Sequence, residues 1–321
     1  MNNLIFSLNA TLPIFLTMVV GYILKQIHIL DDSFVKTLNK FNFKVTLPVL
    51  LFLDLYQSDF YEVWDTKYVL FCLFVTLICC FTITILTYFF LKDKTILGEF
   101  VQGAYRGSAA VLGVAFILNI YGEVHTTPLM IIGTVPFYNI YAVLILSFTN
   151  PEAMASNEKN RIDKDQLKKS FIGIVTNPII LSILLGMVAS LLKFSLPAIV
   201  LKTAGNLSVL ATPLALIGLG AGFEGRKALS RMKPTIVCTF IKLFIQPALF
   251  VPLAAHLGFR DEKMIAILIM LGAPTTVSAY IMAKNMNHEG VLSSSVVVST
   301  TFLSSLSLTF WLFLLKNFGL I

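Results

Sequence analysis

Residues 264–284 read MIAILIMLGAPTTVSAYIMAK. The first eight residues are apolar and would continue as a membrane helix. Instead the chain inserts Gly272, Pro274, Thr275, Thr276 and Ser278, and runs on to Lys284. Pro274 has no amide donor, and its ring clashes with the carbonyl four residues back. In hydrocarbon each freed polar group costs several kcal/mol unless protein or water satisfies it. A chain that breaks a span at that depth implies that the break faces something polar.

The rest of the sequence makes the membrane setting plain. It is 57% hydrophobic and 13% charged, with a mean hydropathy of +0.84. Soluble domains carry about 25% charged residues. Ten stretches are long and apolar enough to span a bilayer: 4–24, 33–56, 68–91, 97–121, 125–148, 170–192, 196–221, 232–257, 264–284 and 292–315. The expected fold is therefore an all-α polytopic membrane protein. Cys72, Cys79, Cys80 and Cys238 all fall inside apolar runs without metal-ligand spacing and read as packing residues.

The long polar stretch NPEAMASNEKNRIDKDQLKK, 150–169, lies midway along the chain. It reads as a linker between residues 1–149 and 170–321, each with five spans. Lys and Arg set the orientation. Loops on the linker's side hold thirteen of them, and the opposite set holds five. The linker is thus expected in the cytoplasm and both termini outside, which explains the net charge of +7 without nucleic acid. Five spans per half make the halves inverted relative to each other.

Punctuation residues repeat across the halves. A shift of 165 residues places Pro13 on Pro178, Gly21 on Gly186, Pro48 on Pro213 and Gly107 on Gly272. Gly107 lies midway along span 4, in RGSAAVLGVAF, as Gly272 does along span 9. Breaks at corresponding positions of inverted halves mark transport sites, because half-helix N-termini attract anions there. The competing reading is that these residues merely kink packed helices. On the site reading, spans 4 and 9 are broken and cross. The amides of Thr275 and Thr276 are then open donors, and Pro48 and Pro213 break spans 2 and 7.

GYILKQIHILDDSFVKTLNKFNFKVTLPVLLF (21–52), GNLSVLATPLALIGLGAGF (205–223), GAPTTVSAYIMAK (272–284) and VVVSTTFLSSLSL (296–308) together resemble the auxin efflux carrier family, in order and spacing over essentially the whole chain. The resemblance implies ten helices, a scaffold part, and a transporter part in which spans 4 and 9 cross. That family includes plant auxin exporters and bacterial permeases for malate, malonate and other organic anions. Plant members carry Asn and Pro around the crossing in both halves. Here span 4 has Ser108 and no Pro, while span 9 keeps Pro274 followed by Thr275 and Thr276. The resemblance therefore implies a small bacterial-type carboxylate and not auxin.

Ionisable residues inside the spans add chemistry. Arg106 precedes Gly107, about 12 Å into span 4 at 1.5 Å per residue. Its planar fork suits a carboxylate. The alternatives are that it caps carbonyls freed by the break, or pairs with Glu99. Lys242 is the other deep cation, either a source of anion-attracting field or a cap. Lys36, Lys40 and Lys44 share one face of span 2, and Lys44 is deep enough to line a vestibule or else marks a tilted start. Asn139 is a deep amide in span 5, suited to lining the site or to bonding a neighbouring helix. Asp54 falls near the outer end of its span, and no acid pair sits mid-span, which argues against a carboxylate proton relay.

The expected substrate-binding set is thus Arg106, Gly107, Ser108, Asn139, Gly272, Pro274, Thr275, Thr276 and Ser278. The expected function is a secondary carrier of small organic anions in the cell membrane, working by alternating access. The alternatives are a cation-coupled symporter of the bile-acid and sodium type, and a sensor that keeps the shape without turnover. No catalytic residue, metal site or cofactor is expected. The expected partners are the organic anion and the lipid bilayer, with a homodimer left open.

Overall fold

A computed structural model describes residues 2–57, 64–109, 116–117, 120–121, 125–150, 172 and 176–321, with backbone alone for 2–11. The polar stretch 151–169 lies outside the described residues, and so does most of the second half of span 4. The described residues form an all-α protein. In chain order they give α1 (Asn2–Gln26), α2 (Asp32–Phe41), α3 (Leu47–Tyr56), α4 (Thr66–Phe90), α5 (Leu97–Tyr105), α6 (Thr127–Phe148), α7 (Pro178–Leu191), α8 (Ala198–Ala221), α9 (Gly225–Ser230), α10 (Met232–Phe240), α11 (Gln246–His256), α12 (Asp261–Gly272), α13 (Ser278–Asn285) and α14 (Val291–Asn317). Among the described residues, five helical runs are long and apolar enough to cross a membrane: α4, α6, α8, the continuous run 232–256, and α14.

Local chemistry starts these helices where the sequence allows. Asp31 caps α2 by accepting from the Phe34 amide at 2.6 Å. Asp65 does the same for α4 through Tyr68, at 3.1 Å. Asn177 caps α7 through Ile179, at 2.9 Å, with Pro178 at the first helical position. Two further helix starts are capped from afar by carboxylates. Glu99 of α5 accepts from the amides of Gly290 and Ser293 at the start of α14, both at 2.8 Å. Glu262 of α12 accepts from the amides of His125, Thr126 and Thr127 at the start of α6, at 3.0, 2.7 and 3.1 Å. A negative charge at a helix N-terminus is favourable.

Pro48 and Pro213 do not break their spans. Residues 42–46 widen into a π turn just ahead of Pro48, and the helix continues. The wider turn makes room for the proline ring. Pro213 lies inside the uninterrupted α8. A second π turn, 241–245, precedes Pro247 in the same way. There Trp311 Nε1 donates at 3.0 Å to the Leu243 carbonyl, the one the ring of Pro247 would otherwise leave unpaired. Lys44 lies inside the first π turn, and Lys36 and Lys40 on α2 ahead of it. Those two line a cleft at that end of α2, and Lys44 is exposed elsewhere.

Packing is close where side chains are absent. A β-carbon on Gly21 would lie 2.4 Å from the Ile217 carbonyl, so α1 and α8 touch through backbone. A β-carbon on Gly186 would lie 2.7 Å from the Phe52 carbonyl, so α7 and α3 do the same. Small residues that allow such approach are the usual glue between membrane helices. Facing outward, Phe74, Ile78, Phe81, Ile85 and Phe89 form an exposed apolar stripe along α4. A stripe of this kind suits lipid and not water.

Candidate functional site

The two interrupted spans meet at their interruptions. Helix α5 ends at Tyr105, and Arg106 turns extended (φ −87°, ψ 122°). Helix α12 ends at Gly272, Ala273 is extended (φ −66°, ψ 152°), and helix resumes only at Ser278. Gly107 and Thr275 pair as an isolated antiparallel bridge. The Ser108 amide donates to the Pro274 carbonyl at 2.9 Å. Two short extended segments thus satisfy each other where neither can be helical, as irregular backbone in a membrane must.

Side chains from three other helical runs, with Gln102 and Thr275 of the interrupted spans, finish the hydrogen bonding. Thr275 Oγ1 donates to the Gly103 carbonyl at 2.7 Å, and its amide donates to Thr300 Oγ1 at 3.0 Å. The Thr275 amide is therefore occupied, which corrects its expected role as an open donor. Gln102 Nε2 donates to the Ala279 carbonyl at 2.9 Å, and Gln246 Nε2 to that of Ala104 at 2.7 Å. Tyr138 donates to the Met270 carbonyl at 3.0 Å. Lys242 Nζ reaches the carbonyls of Leu271, Met270 and Tyr105 at 2.8, 3.2 and 3.2 Å.

Beside the crossing lies a cavity of about 110 Å³. Its walls come from α1, α3, α6, α7, α8 and α14 as well as the crossing. Much of the lining is apolar, including Ile14, Leu47, Leu51, Val135 and Ile179. Polar lining residues include Arg106, Ser108, Asn139, Thr276 and Ser278 beside the crossing, and Asp54, Thr212 and Thr301 from other helices. Arg106, 3% exposed, donates to Asn139 Oδ1, to Ser278 Oγ at 2.7 Å and to Met282 Sδ at 2.8 Å. All three partners are neutral. Asn139 is held in turn by the Val135 carbonyl at 2.9 Å, and Ser278 by Thr276 Oγ1 at 3.1 Å. Asp54 lines the same cavity.

Eight of the nine residues expected from sequence line this cavity: Arg106, Gly107, Ser108, Asn139, Pro274, Thr275, Thr276 and Ser278. Gly272 does not. A β-carbon there would lie 3.1 Å from Pro247 Cγ, so its role is contact with α11. Glu99 is held by the start of α14 and is not the partner of Arg106. Nor does Arg106 cap the carbonyls freed by the break, because Lys242 and Gln246 do so. Sequence reasoning passed over Gln102, Tyr138, Gln246 and Thr300, and left Lys242 undecided. Polar amides deep in apolar runs were the available signal for Gln102 and Gln246. Asp54 was missed because chain position places it near a span end, whereas packing brings it to the cavity.

Residues 6–312 match a family described as membrane transport protein. An uncharacterized transporter of Methanocaldococcus jannaschii is 23% identical, over 97% of this chain and 99% of its own length. Another, from Methanothermobacter thermautotrophicus, is 24% identical over 95% of this chain and 97% of its own. The uncharacterized transporter YfdV of Escherichia coli is 25% identical over 92% and 94%.

Proposed function

The chain belongs to the membrane transport protein family, and we propose that within it this transporter carries small organic anions, carboxylates such as malate, across the cell membrane by alternating access. The observation that carries the proposal is Arg106. Its guanidinium lies on the cavity wall with three neutral partners among the described residues, so its charge is available to a substrate carboxylate. Asn139, Ser278 and Thr276 extend the polar lining, and Gly107, Ser108 and Pro274 bring backbone to it. A cavity of about 110 Å³ is well below the roughly 300–1,000 Å³ of sites for drug-sized ligands. A solute with few heavy atoms fits that size better than an aromatic auxin.

The architecture that goes with this function is ten spans in two inverted halves, 1–149 and 170–321, joined by a cytoplasmic linker at 150–169, with both termini outside. Two pairs of contacts support it. A shift of 165 residues carries Gly21 onto Gly186 and Phe52 onto Ile217. Gly21 abuts Ile217 and Gly186 abuts Phe52, so the same contact occurs twice with the halves exchanged. Likewise Glu99, at the start of span 4, caps span 10, and Glu262, at the start of span 9, caps span 5. Spans 4 and 9 interrupted at one meeting point then form the moving element's centre.

Uptake of a panel of labelled carboxylates into proteoliposomes tests the function. Saturable uptake of a small dicarboxylate that Arg106→Ala abolishes is the expected result. Absence of uptake for every carboxylate, with specific binding retained, would favour the sensor alternative. Asp54 favours one second reading, a carrier that takes up a proton with its anion. An anion entering a cavity that already holds a carboxyl group favours the neutral form of that group. Uptake that rises as external pH falls, and loses this dependence in Asp54→Asn, separates proton-coupled from simple anion transport.

A further inference from the structure

We propose that Lys242 is a tethered cation, seated in a cage of backbone carbonyls that would otherwise take a free monovalent cation. Its consequence for coupling rests on the carrier reading above, while the cage itself is tested apart from transport. The cage joins both interrupted spans. Tyr105 O comes from the end of α5, and Met270 O and Leu271 O from the end of α12. Each helix C-terminus carries about half a negative charge. In secondary carriers, unwound carbonyls and half-helix C-termini of this kind coordinate sodium. Here a side chain supplies the charge. The group facing three acceptors at 2.8–3.2 Å is the ammonium form, which has three donors and no lone pair to oppose them. The π turn at 241–245 aims Lys242 inward, so that the residue is fully buried. Gly107 completes the fit: a β-carbon there would lie 2.9 Å from Nζ and 3.2 Å from Cε. The glycine at the span 4 break thus makes room for the cation as well as for the crossing.

Lys242 is a positioning residue in this account. It neutralises the two C-terminal half-helix ends, so the crossing holds together without a bound inorganic cation. The test measures thermal unfolding of the purified protein in sodium, potassium, methylammonium and choline chloride at one ionic strength. The wild type is expected to melt at the same temperature in all four. Lys242→Ala empties the cage. It is expected to melt lower in choline and to recover by about 2 °C or more, saturably, with one of the small cations. Lys242→Met fills the space without charge, and is expected to melt lower with no recovery. A saturable sodium-specific rise in the wild type overturns the proposal. So does a folded Lys242→Ala variant that responds to no small cation, since a plain structural lysine predicts that result. If Lys242→Ala does not fold, the wild-type arm decides, together with uptake in sodium-free choline. Uptake within about twofold of that in sodium agrees with the proposal, and a roughly tenfold sodium stimulation contradicts it. Failure of every carboxylate to be transported would remove the carrier reading, and the melting experiments would still decide whether Lys242 fills a cation cage.

Discussion

Arg106 and Lys242 are both buried at the crossing, and the structure uses them in opposite ways. Lys242 gives its ammonium to three carbonyls, from both interrupted spans. Arg106 meets an amide oxygen, a hydroxyl and a thioether, and lines the cavity. Depth in the membrane makes both expensive. What distinguishes them is the partner. Lys242 satisfies backbone carbonyls freed at the ends of both interrupted spans, whereas Arg106 is held by side chains and lines the cavity, where a ligand can reach its charge. The lesson is that a buried charge is assigned by its acceptors and not by its depth.

The sharpest way to break this comparison is Arg106→Ala. Losing a desolvated ion pair with substrate costs about 2–5 kcal/mol, so carboxylate uptake should fall at least about thirtyfold. The melting temperature should stay close to wild type, because Arg106 satisfies no backbone carbonyl among its described partners. Arg106→Lys should restore part of the uptake, since the bidentate fork is lost. Normal affinity in a folded Arg106→Ala protein would move the site elsewhere.

The two glycines of the breaks sharpen the comparison next. Gly107→Ala places a β-carbon 2.9 Å from the Lys242 ammonium, whereas Gly272→Ala meets Pro247 at 3.1 Å and nothing else closer than 3.7 Å. Overpacking of a tight site costs about 1–3 kcal/mol. Gly107→Ala should therefore lower both melting temperature and uptake, and Gly272→Ala should do less. Equal effects in the two variants would show that the glycines serve the crossing alike, with no special demand from Lys242.

A smaller effect belongs to Thr300. Its hydroxyl accepts the Thr275 amide at 3.0 Å. Thr300→Val keeps the shape and leaves that amide unpaired, at a cost of about 1–3 kcal/mol. Thermal melting reads the loss. If the freed amide turns toward the cavity, anion affinity should rise while stability falls, and titration calorimetry distinguishes that outcome from simple destabilisation.

The smallest expected effect lies at Glu262, at the remote start of α12. Partial burial pushes its carboxyl upward, but hydrogen bonds from the His125, Thr126 and Thr127 amides and the Thr127 hydroxyl outweigh it and hold the pKa below the usual 4.5. A depressed carboxylate contributes stability above its unfolded pKa and loses it as pH falls through the folded value. Melting temperature should therefore drop below about pH 4.5, and Glu262→Gln should lose that part of the acid sensitivity. An unchanged acid profile in Glu262→Gln would show that the cap contributes nothing measurable.

By itself the sequence determined the membrane class, the all-α character and the location of both breaks. Those features are written in local chemistry: hydropathy over about 20 residues, and Gly107, Gly272 and Pro274 standing where a helix cannot easily continue. It also named several polar residues that line the cavity, because Ser108, Asn139, Thr276 and Ser278 are polar groups at depths where polarity has few other uses. Tertiary structure decided the rest. Pro48 and Pro213 look like breaks in a sequence, yet a π turn or simple packing carries the helix past them. Gly272 looks like a lining residue and packs on Pro247 instead. Arg106 and Lys242 are indistinguishable as deep cations until their acceptors are known. Those acceptors come from segments far away in the chain: Lys242 reaches Tyr105, and Arg106 reaches Ser278. No local pattern records such a pairing, because it arises only when two interrupted spans meet and the freed carbonyls of each are handed to side chains of a third.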